Sequence, residues 1–169
     1  MNWTELLKGE MESAYGASGK LLTKVTDPML GWKPSTGSNW MTTGQLLMHL
    51  SSACGATCKG FVTGDWGMPH DASQEATLPP AEKMATVKSV TETLELLKAD
   101  KKTALEALAK CSEADLANKA TPAPWDPTPM VLGLRLLQMI EHLKMHKSQL
   151  FYYLKLQGLP VNTMDLWGV

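Results

Sequence analysis

Residues 134–158 read LRLLQMIEHLKMHKSQLFYYLKLQG, and this segment carries the clearest structural signal in the chain. Side chains suited to a helix core recur in this segment in alternating steps of four and three residues, and the pattern begins two residues earlier, at Leu132. This spacing is typical of helices that pack in bundles. The members of this seam are Leu132, Leu136, Met139, Leu143, His146, Leu150 and Tyr153. The pattern predicts a long helix that starts at Thr128-Pro129 and ends before Gly158-Leu159-Pro160.

Two histidines lie within this predicted helix, and a third lies in another helical segment. His142 and His146 are four residues apart, so their side chains stand one above the other on one helix face and can share a metal ion. His49 lies in TTGQLLMHLSSACGAT, residues 42–57. Taken alone, His49 is better explained as a core histidine bonded to a carbonyl. Together the three are a candidate metal site, because imidazole nitrogen binds zinc, nickel, copper and iron.

Three further helices precede this one. The first is predicted from about Asn2 to Thr26, where Asp27-Pro28 stops it. The second is predicted to begin near Thr42, with Gln45 as its capping partner, and to continue to Gly60. The third is predicted to start at Pro79-Pro80, since proline is favoured in a first turn.

Almost nothing in the chain is typical of a β-strand, so we predict an all-α fold, a four-helix bundle. At 169 residues the chain has the length of one domain, and we expect residues 1–169 to form it. The small residues near His49 (Gly44, Ala53, Gly55 and Ala56) either open a pocket or let the helices pack closely. We also expect some of the tryptophans in the loops to line a pocket or a subunit contact.

Composition narrows the function classes. The 16 basic and 17 acidic residues give a net charge of −1 without long runs of one sign, which argues against nucleic acid as a partner. No apolar run approaches the roughly 18 residues that a membrane span needs, and the start MNWTELLKGEMES has no signal-peptide pattern, so we expect a cytoplasmic protein without a membrane partner. Cys54 and Cys58 are interpreted as small buried or half-buried thiols, since their spacing suits a disulfide poorly.

Two segments resemble the DinB/YfiT-like superfamily. The first segment leads into the second helix, and the resemblance there rests on Trp32, Pro34, Thr43, Leu46 and His49. The second segment, His142-x-x-x-His146-Lys147-Ser148-Gln149-Leu150, followed by Tyr153, Leu154 and Gly158, is similar to that family's H-x-x-x-H-R-G-Q-L ending, with Lys-Ser in place of Arg-Gly.

This resemblance covers nearly the whole chain in helix order. It implies a four-helix bundle of unusual connectivity, one divalent metal ion held by His49, His142 and His146, and a homodimer. Zinc and nickel are the leading candidates for the ion, with manganese and iron as alternatives. The family includes thiol-dependent transferases and isomerases that act with bacillithiol, mycothiol or glutathione.

The pattern around the histidines disfavours a zincin-type protease. That motif needs glutamate directly after the first histidine, whereas Leu143 follows His142 here. Glu141 precedes the pair and is expected to face solvent or a neighbouring residue. His70, in a loop rich in glycine and proline, is interpreted as solvated. Gln149 lies one turn beyond His146, and it either orients a metal ligand or is a polar residue at the edge of the core; it is our candidate for the first of these roles.

Two functions remain open at this point. Three neutral ligands leave the ion its full positive charge, which lowers the pKa of bound water or stabilises a thiolate. The first hypothesis is therefore a metalloenzyme, a thiol transferase or a hydrolase, whose open position activates water or a low-molecular-weight thiol and accepts a small-molecule substrate. The alternative is a non-catalytic, dimerising metal-binding bundle of the stress-response type.

Overall fold

Seven α-helices and one small β-hairpin make up the part of the chain that the structure, a computed structural model, describes, namely residues 2–67 and 79–169. The helices are α1 (Trp3–Leu22), α2 (Thr43–Leu50), α3 (Gly55–Thr63), α4 (Val90–Leu108), α5 (Glu113–Asn118), α6 (Leu132–Leu156) and α7 (Thr163–Trp167). The strands are β1 (Ala120–Ala123) and β2 (Asp126–Val131), and single 3₁₀ turns span Asp27–Met29 and Ala81–Lys83. His70 lies outside the described residues.

The core forms where α6 meets the other long helices. α1 packs against both α4 and α6, while α2 and α3 pack against α4 and α6 from the remaining side. The leucine, methionine and tyrosine members of the predicted seam of α6 are all buried, and His146 is half-buried. A core-facing stripe of this kind stabilises a helix mainly through burial of apolar surface. Within the described ranges, no helix is long and apolar enough to cross a membrane.

The second predicted helix is interrupted, so its predicted continuation to Gly60 is wrong. α2 ends at Leu50, and α3 begins at Gly55. The buried carboxylate of Asp100, from α4, accepts hydrogen bonds from the N–H groups of Gly55 (2.8 Å) and Ala56 (3.1 Å). Tyr15 Oη donates to the same carboxylate at 2.7 Å. A side chain from another helix therefore satisfies the free donors at the start of α3.

The third predicted helix starts later than Pro79-Pro80, so that boundary is also wrong. The proline pair leads only into the 3₁₀ turn, and α4 begins at Val90, where Ser89 Oγ accepts from the N–H of Glu92 at 3.1 Å. The side chain of Gln45 donates to the carbonyls of Ala81 (2.7 Å) and Met84 (3.0 Å). These carbonyls bind a glutamine amide on another helix, and the chain between them and Ser89 is not helical.

The expectation of almost no strand, and of a helix start at Thr128-Pro129, fails at the β-hairpin. β1 and β2 pair antiparallel directly before α6, which begins at Leu132. Arg135 of α6 is completely buried and donates to the carbonyls of Thr121 (3.1 Å) and Thr128 (2.6 Å), one on each strand. The hairpin therefore depends on a guanidinium group from the following helix, since five donors in a fixed planar fork can bind several acceptors at once.

The first helix and the cysteines lie close to their predicted places. α1 begins after Asn2, whose side chain accepts from the N–H of Glu5 at 2.9 Å as part of a capping box, but it ends at Leu22 rather than Thr26. Cys54 and Cys58 are buried free thiols, and Cys111 is half-buried.

Candidate metal centre

The three histidines converge at the contact between α2 and α6. His49 lies in the last turn of α2, and its Nε2 is 3.3 Å from Nε2 of His142. Nε2 of His146 is 2.8 Å from the same atom. One ring nitrogen from each residue lies within 4.8 Å of the other two. Among the described residues, no cysteine or carboxylate joins this cluster.

The spacing of these nitrogens suits a metal ion. Around a zinc ion with bonds of about 2.0 to 2.1 Å, tetrahedral ligand nitrogens are about 3.3 to 3.4 Å apart. The distance between His49 and His142 agrees with that value, whereas the 2.8 Å between His142 and His146 corresponds to a more nearly right-angled pair. Three imidazole nitrogens that face one point are a donor set for a divalent ion, and the residues present therefore fit such an ion.

Burial keeps the histidines neutral. It lowers the pKa of His49 to about 4, an effect that the neighbouring His146 and His142 reinforce. Burial also lowers the pKa of His142 to about 4, with a further contribution from His146. The pKa of His146 is lowered by burial as well, although its hydrogen bond with Gln149 opposes the shift. Neutral imidazole is the form that binds metals, so at pH 7 no proton has to leave before an ion can bind.

A short chain of hydrogen bonds fixes the ring of His146. Its direction follows from the carbonyl of Met41, which can only accept, so that Tyr153 Oη donates to it at 3.0 Å. The Tyr153 oxygen is then free to accept from Gln149 Nε2 at 3.4 Å. This orientation places Gln149 Oε1 3.0 Å from Nδ1 of His146. Because Oε1 can only accept, Nδ1 carries the proton and Nε2 presents its lone pair to the cluster.

A cavity of about 310 Å³ opens beside the cluster. His49 and His142 form part of its wall, and the other lining residues are Ala53, Thr57, Trp125, Gln138, Met139 and Met145. Trp125, at the tip of the β-hairpin, contacts Phe61 and Trp66 in edge-to-face geometry at centroid distances of 5.9 and 5.7 Å. The cavity therefore connects two of the three histidines to a largely apolar space of fragment size.

The remaining sequence candidates have other contacts. Glu141 Oε1 accepts from Lys144 Nζ at 2.9 Å on the outer face of α6, and Lys147 Nζ donates to the carbonyl of Leu166, which fastens α7. Of the small residues near His49, Ala53 lines the cavity, whereas a Cβ at Gly44 would collide with Thr86.

Three residues with a place at this site had no role in the sequence prediction: Gln138, Tyr153 as a hydrogen-bond partner, and Arg135. Helical spacing offers a signal for two of them. Gln138 lies four residues before His142, and Tyr153 lies seven after His146, so both project from the histidine side of α6. The partners of Arg135 come from the hairpin, which the sequence pattern does not reveal.

Comparison with known proteins gives two findings. The family model of the DinB superfamily matches residues 10–150. Among solved structures, the crystal structure of a DinB-like protein from Bacillus cereus ATCC 10987 is similar, with 18% sequence identity and a TM-score of 0.68. The similarity covers 94% of this chain and 95% of that one, and at this identity it shows a shared fold. No curated protein matches the chain.

Proposed function

Because the chain belongs to the DinB superfamily, we propose that it is a metal-dependent enzyme, a hydrolase or thiol transferase, in which His49, His142 and His146 hold one divalent ion. Zinc and nickel suit three imidazoles best, with manganese and iron as alternatives. The long helices α1, α4 and α6, with the interrupted pair α2 and α3 as the fourth member, support a four-helix bundle as the scaffold.

One observation carries the proposal: the cavity reaches two of the three histidines. Structural zinc sites are closed by four protein ligands, whereas catalytic sites keep a position open for water or substrate. In the described part of the chain, no fourth protein ligand stands at the cluster, and His49 and His142 border the cavity. These two residues would thus hold an ion at the wall of a cavity that water or a substrate can enter.

The residues of the chain have separable tasks in this proposal. His49, His142 and His146 would hold the ion, which when bound would supply a Lewis-acidic centre that lowers the pKa of a bound water or thiol. Gln149 holds the proton of His146 on Nδ1 and so orients the ring. Trp125 and Met139 form an apolar part of the cavity wall, and an apolar wall that displaces water strengthens the electrostatic interactions inside a site.

The experiment combines metal analysis with activity. We expect about one equivalent of zinc or nickel per chain, and the variants His49→Ala and His146→Ala to lose both the metal and any turnover. Glu141→Ala is the matched control, since it changes the same turn of α6 at a side chain that pairs with Lys144. The substrates are nitrophenyl esters for hydrolysis, and chlorodinitrobenzene with bacillithiol, mycothiol or glutathione for thiol transfer.

Two outcomes would contradict the proposal in different ways. Unchanged metal content in His49→Ala would show that the ion is held elsewhere. A bound ion whose cobalt-substituted spectrum does not respond to azide or a thiol would lack an open position, and the non-catalytic metal-binding bundle would then replace the enzyme.

We also propose a homodimer. Tyr152 and Leu156, one turn apart on α6, are 61% and 65% exposed, and Trp167 of α7 is 69% exposed. Large exposed apolar side chains of this kind are typical of subunit contacts. Sedimentation velocity at micromolar concentration should give a dimer for the wild type, and Tyr152→Glu should shift it to monomer. A monomeric wild type would remove this part of the proposal.

A further inference from the structure

We propose that the cavity beside the histidines binds an uncharged, largely apolar small molecule that carries a carbonyl-type hydrogen-bond acceptor. The inference deepens the proposed function and rests on it in one respect: the cavity is taken as the route by which a substrate reaches the ion.

First, the described part of the cavity wall offers no cationic side chain to a ligand. None of the described residues that line the cavity is a lysine, an arginine, an aspartate or a glutamate. The lysine next to Met145 in the chain, Lys144, is held by Glu10 at 2.5 Å and Glu141 at 2.9 Å. Residues 68–78, which the structure does not describe, contain neither lysine nor arginine. An anionic ligand would therefore give up hydration in this cavity without gaining a cationic side chain.

The second step is the orientation of Gln138. The buried guanidinium of Arg135 donates through Nη1 to Gln138 Oε1 at 3.0 Å. Because a guanidinium group can only donate, the oxygen of the amide must face Arg135 and the NH₂ group must face away from it. The same guanidinium also donates to carbonyls on both strands of the hairpin, so its position is fixed, and with it the orientation of the Gln138 amide. Gln138 therefore offers the cavity a donor, which a ligand satisfies with an acceptor.

The third step is the apolar part of the wall. The ring of Trp125 and the side chains of Met139 and Met145 face the same cavity. An indole ring supported by Phe61 and Trp66 provides a flat apolar surface. The thioethers of methionine adapt to ligands of different shape. A small aromatic or branched aliphatic group with a carbonyl at one end matches this wall.

The test compares three probes of similar size: acetophenone, which has a carbonyl and no charge; benzoate, which has a charge; and toluene, which has no acceptor. Binding is measured by NMR titration of the indole N–H signal of Trp125, with metal-free protein at pH 7.5. We expect acetophenone to bind at least tenfold more tightly than benzoate. Gln138→Leu should weaken acetophenone about five- to tenfold, the effect of one hydrogen bond, and leave toluene unchanged.

A gain-of-binding variant guards against loss of structure in Gln138→Leu. Met145 is 61% exposed, so Met145→Lys should fold normally and place a cation at the rim of the cavity. It should strengthen benzoate binding several-fold and change acetophenone by less than twofold. Met164→Lys is the matched control, since Met164 is 57% exposed on α7 and does not line the cavity.

Several results would overturn the inference. One is that benzoate and acetophenone bind the metal-free wild type with equal affinity. The others are that Gln138→Leu leaves the affinity for acetophenone unchanged, and that the Trp125 signal does not respond to acetophenone. Titration of the zinc-loaded protein separates this inference from the proposed function. Zinc should raise the affinity for benzoate, whose carboxylate can reach the ion. If zinc binds and benzoate gains nothing, the cavity does not lead to the ion. If zinc does not bind, the proposed function fails while the three-probe comparison still decides the inference.

Discussion

Replacing Gln149 with leucine should weaken metal binding without removing it. The amide oxygen of Gln149 is the acceptor that holds the proton of His146 on Nδ1, 3.0 Å away. Leucine is similar in size to glutamine but has no hydrogen-bond acceptor, so the Nδ1–H group of the half-buried His146 loses its partner. The His146 ring can then adopt the other tautomer, in which the proton is on Nε2. In that tautomer the nitrogen that faces the cluster cannot bind an ion.

The size of the effect follows from the contacts. Loss of a hydrogen-bond partner behind a metal ligand costs about 10- to 100-fold in affinity. We expect a loss of affinity at the lower end of this range, about tenfold or roughly 1.4 kcal/mol. The reason is that the hydrogen bond that holds Gln149 itself, from its Nε2 to Tyr153 Oη, is weak at 3.4 Å. Tyr153→Phe should have a smaller effect, since it leaves the acceptor for His146 in place.

The assay is a competition titration of zinc against a chromophoric chelator. Ser148→Ala is the control on the same turn, because Ser148 Oγ donates to the carbonyl of Lys144 and not to a histidine of the cluster. Gln149→Glu should bind zinc as tightly as the wild type or more tightly, since a carboxylate accepts the Nδ1 proton more strongly than an amide does. An affinity of Gln149→Leu within twofold of the wild type would refute this role of Gln149, as would a Gln149→Glu variant that binds zinc as weakly as the leucine variant does.

Other predictions concern the scaffold and the pH dependence. Arg135→Met should destabilise the fold by about 3 kcal/mol, since it leaves carbonyls on both strands without a donor; an unchanged urea midpoint would contradict this. Gly55→Ala should cost about 1 to 3 kcal/mol, because its Cβ would collide with the backbone of α4, whereas Gly16→Ala, at an exposed helical position with no close neighbour, should stabilise by roughly 0.5 to 1 kcal/mol. Without metal, stability should fall as the pH drops from about 6.5 to about 4, because the unfolded chain takes up protons that the buried histidines of the folded state do not. Thermal melts in a chelator would show this as a decreasing midpoint, and a flat profile would count against it.

The position of the histidine pair on one face of a helix could be predicted because it depends on local geometry alone. A separation of four residues fixes the relative direction of His142 and His146 in any helix. The convergence of His49 on this pair depends on how α2 packs against α6, and spacing within one segment contains no information about that. The family resemblance implied it, and the structure brings the three rings together.

The interruption of the second helix could not be read from the sequence, since its cause lies elsewhere in the chain. Residues 51–54 contain no proline or glycine to end a helix. The free N–H groups of Gly55 and Ala56 are satisfied by Asp100, which is 45 and 44 residues away in sequence, respectively. A cap that comes from another helix leaves no local signature of the kind that Ser89 gives for α4.

The hairpin is a second case in which a distant group decides the local structure. Prolines at 122, 124, 127 and 129 argue against a strand, because proline cannot donate to a ladder. The buried guanidinium of Arg135 compensates by binding strand carbonyls from the side. By contrast, the start of α4 could have been placed correctly, since Ser89 and Glu92 have the spacing of a capping pair and compete with the proline pair as a helix start.

The histidine cluster also constrains the order of events when the protein is made. His49 and His142 are separated by 93 residues. At a synthesis rate of about 5 to 20 residues per second, roughly 5 to 20 seconds pass between their incorporation. During that interval the growing chain has one imidazole of the cluster and cannot capture an ion with the affinity of three. For the proposed metal-dependent protein, ion capture would therefore be a late step of maturation, and the ion would be drawn from whatever pool surrounds the chain once α6 has docked onto α2.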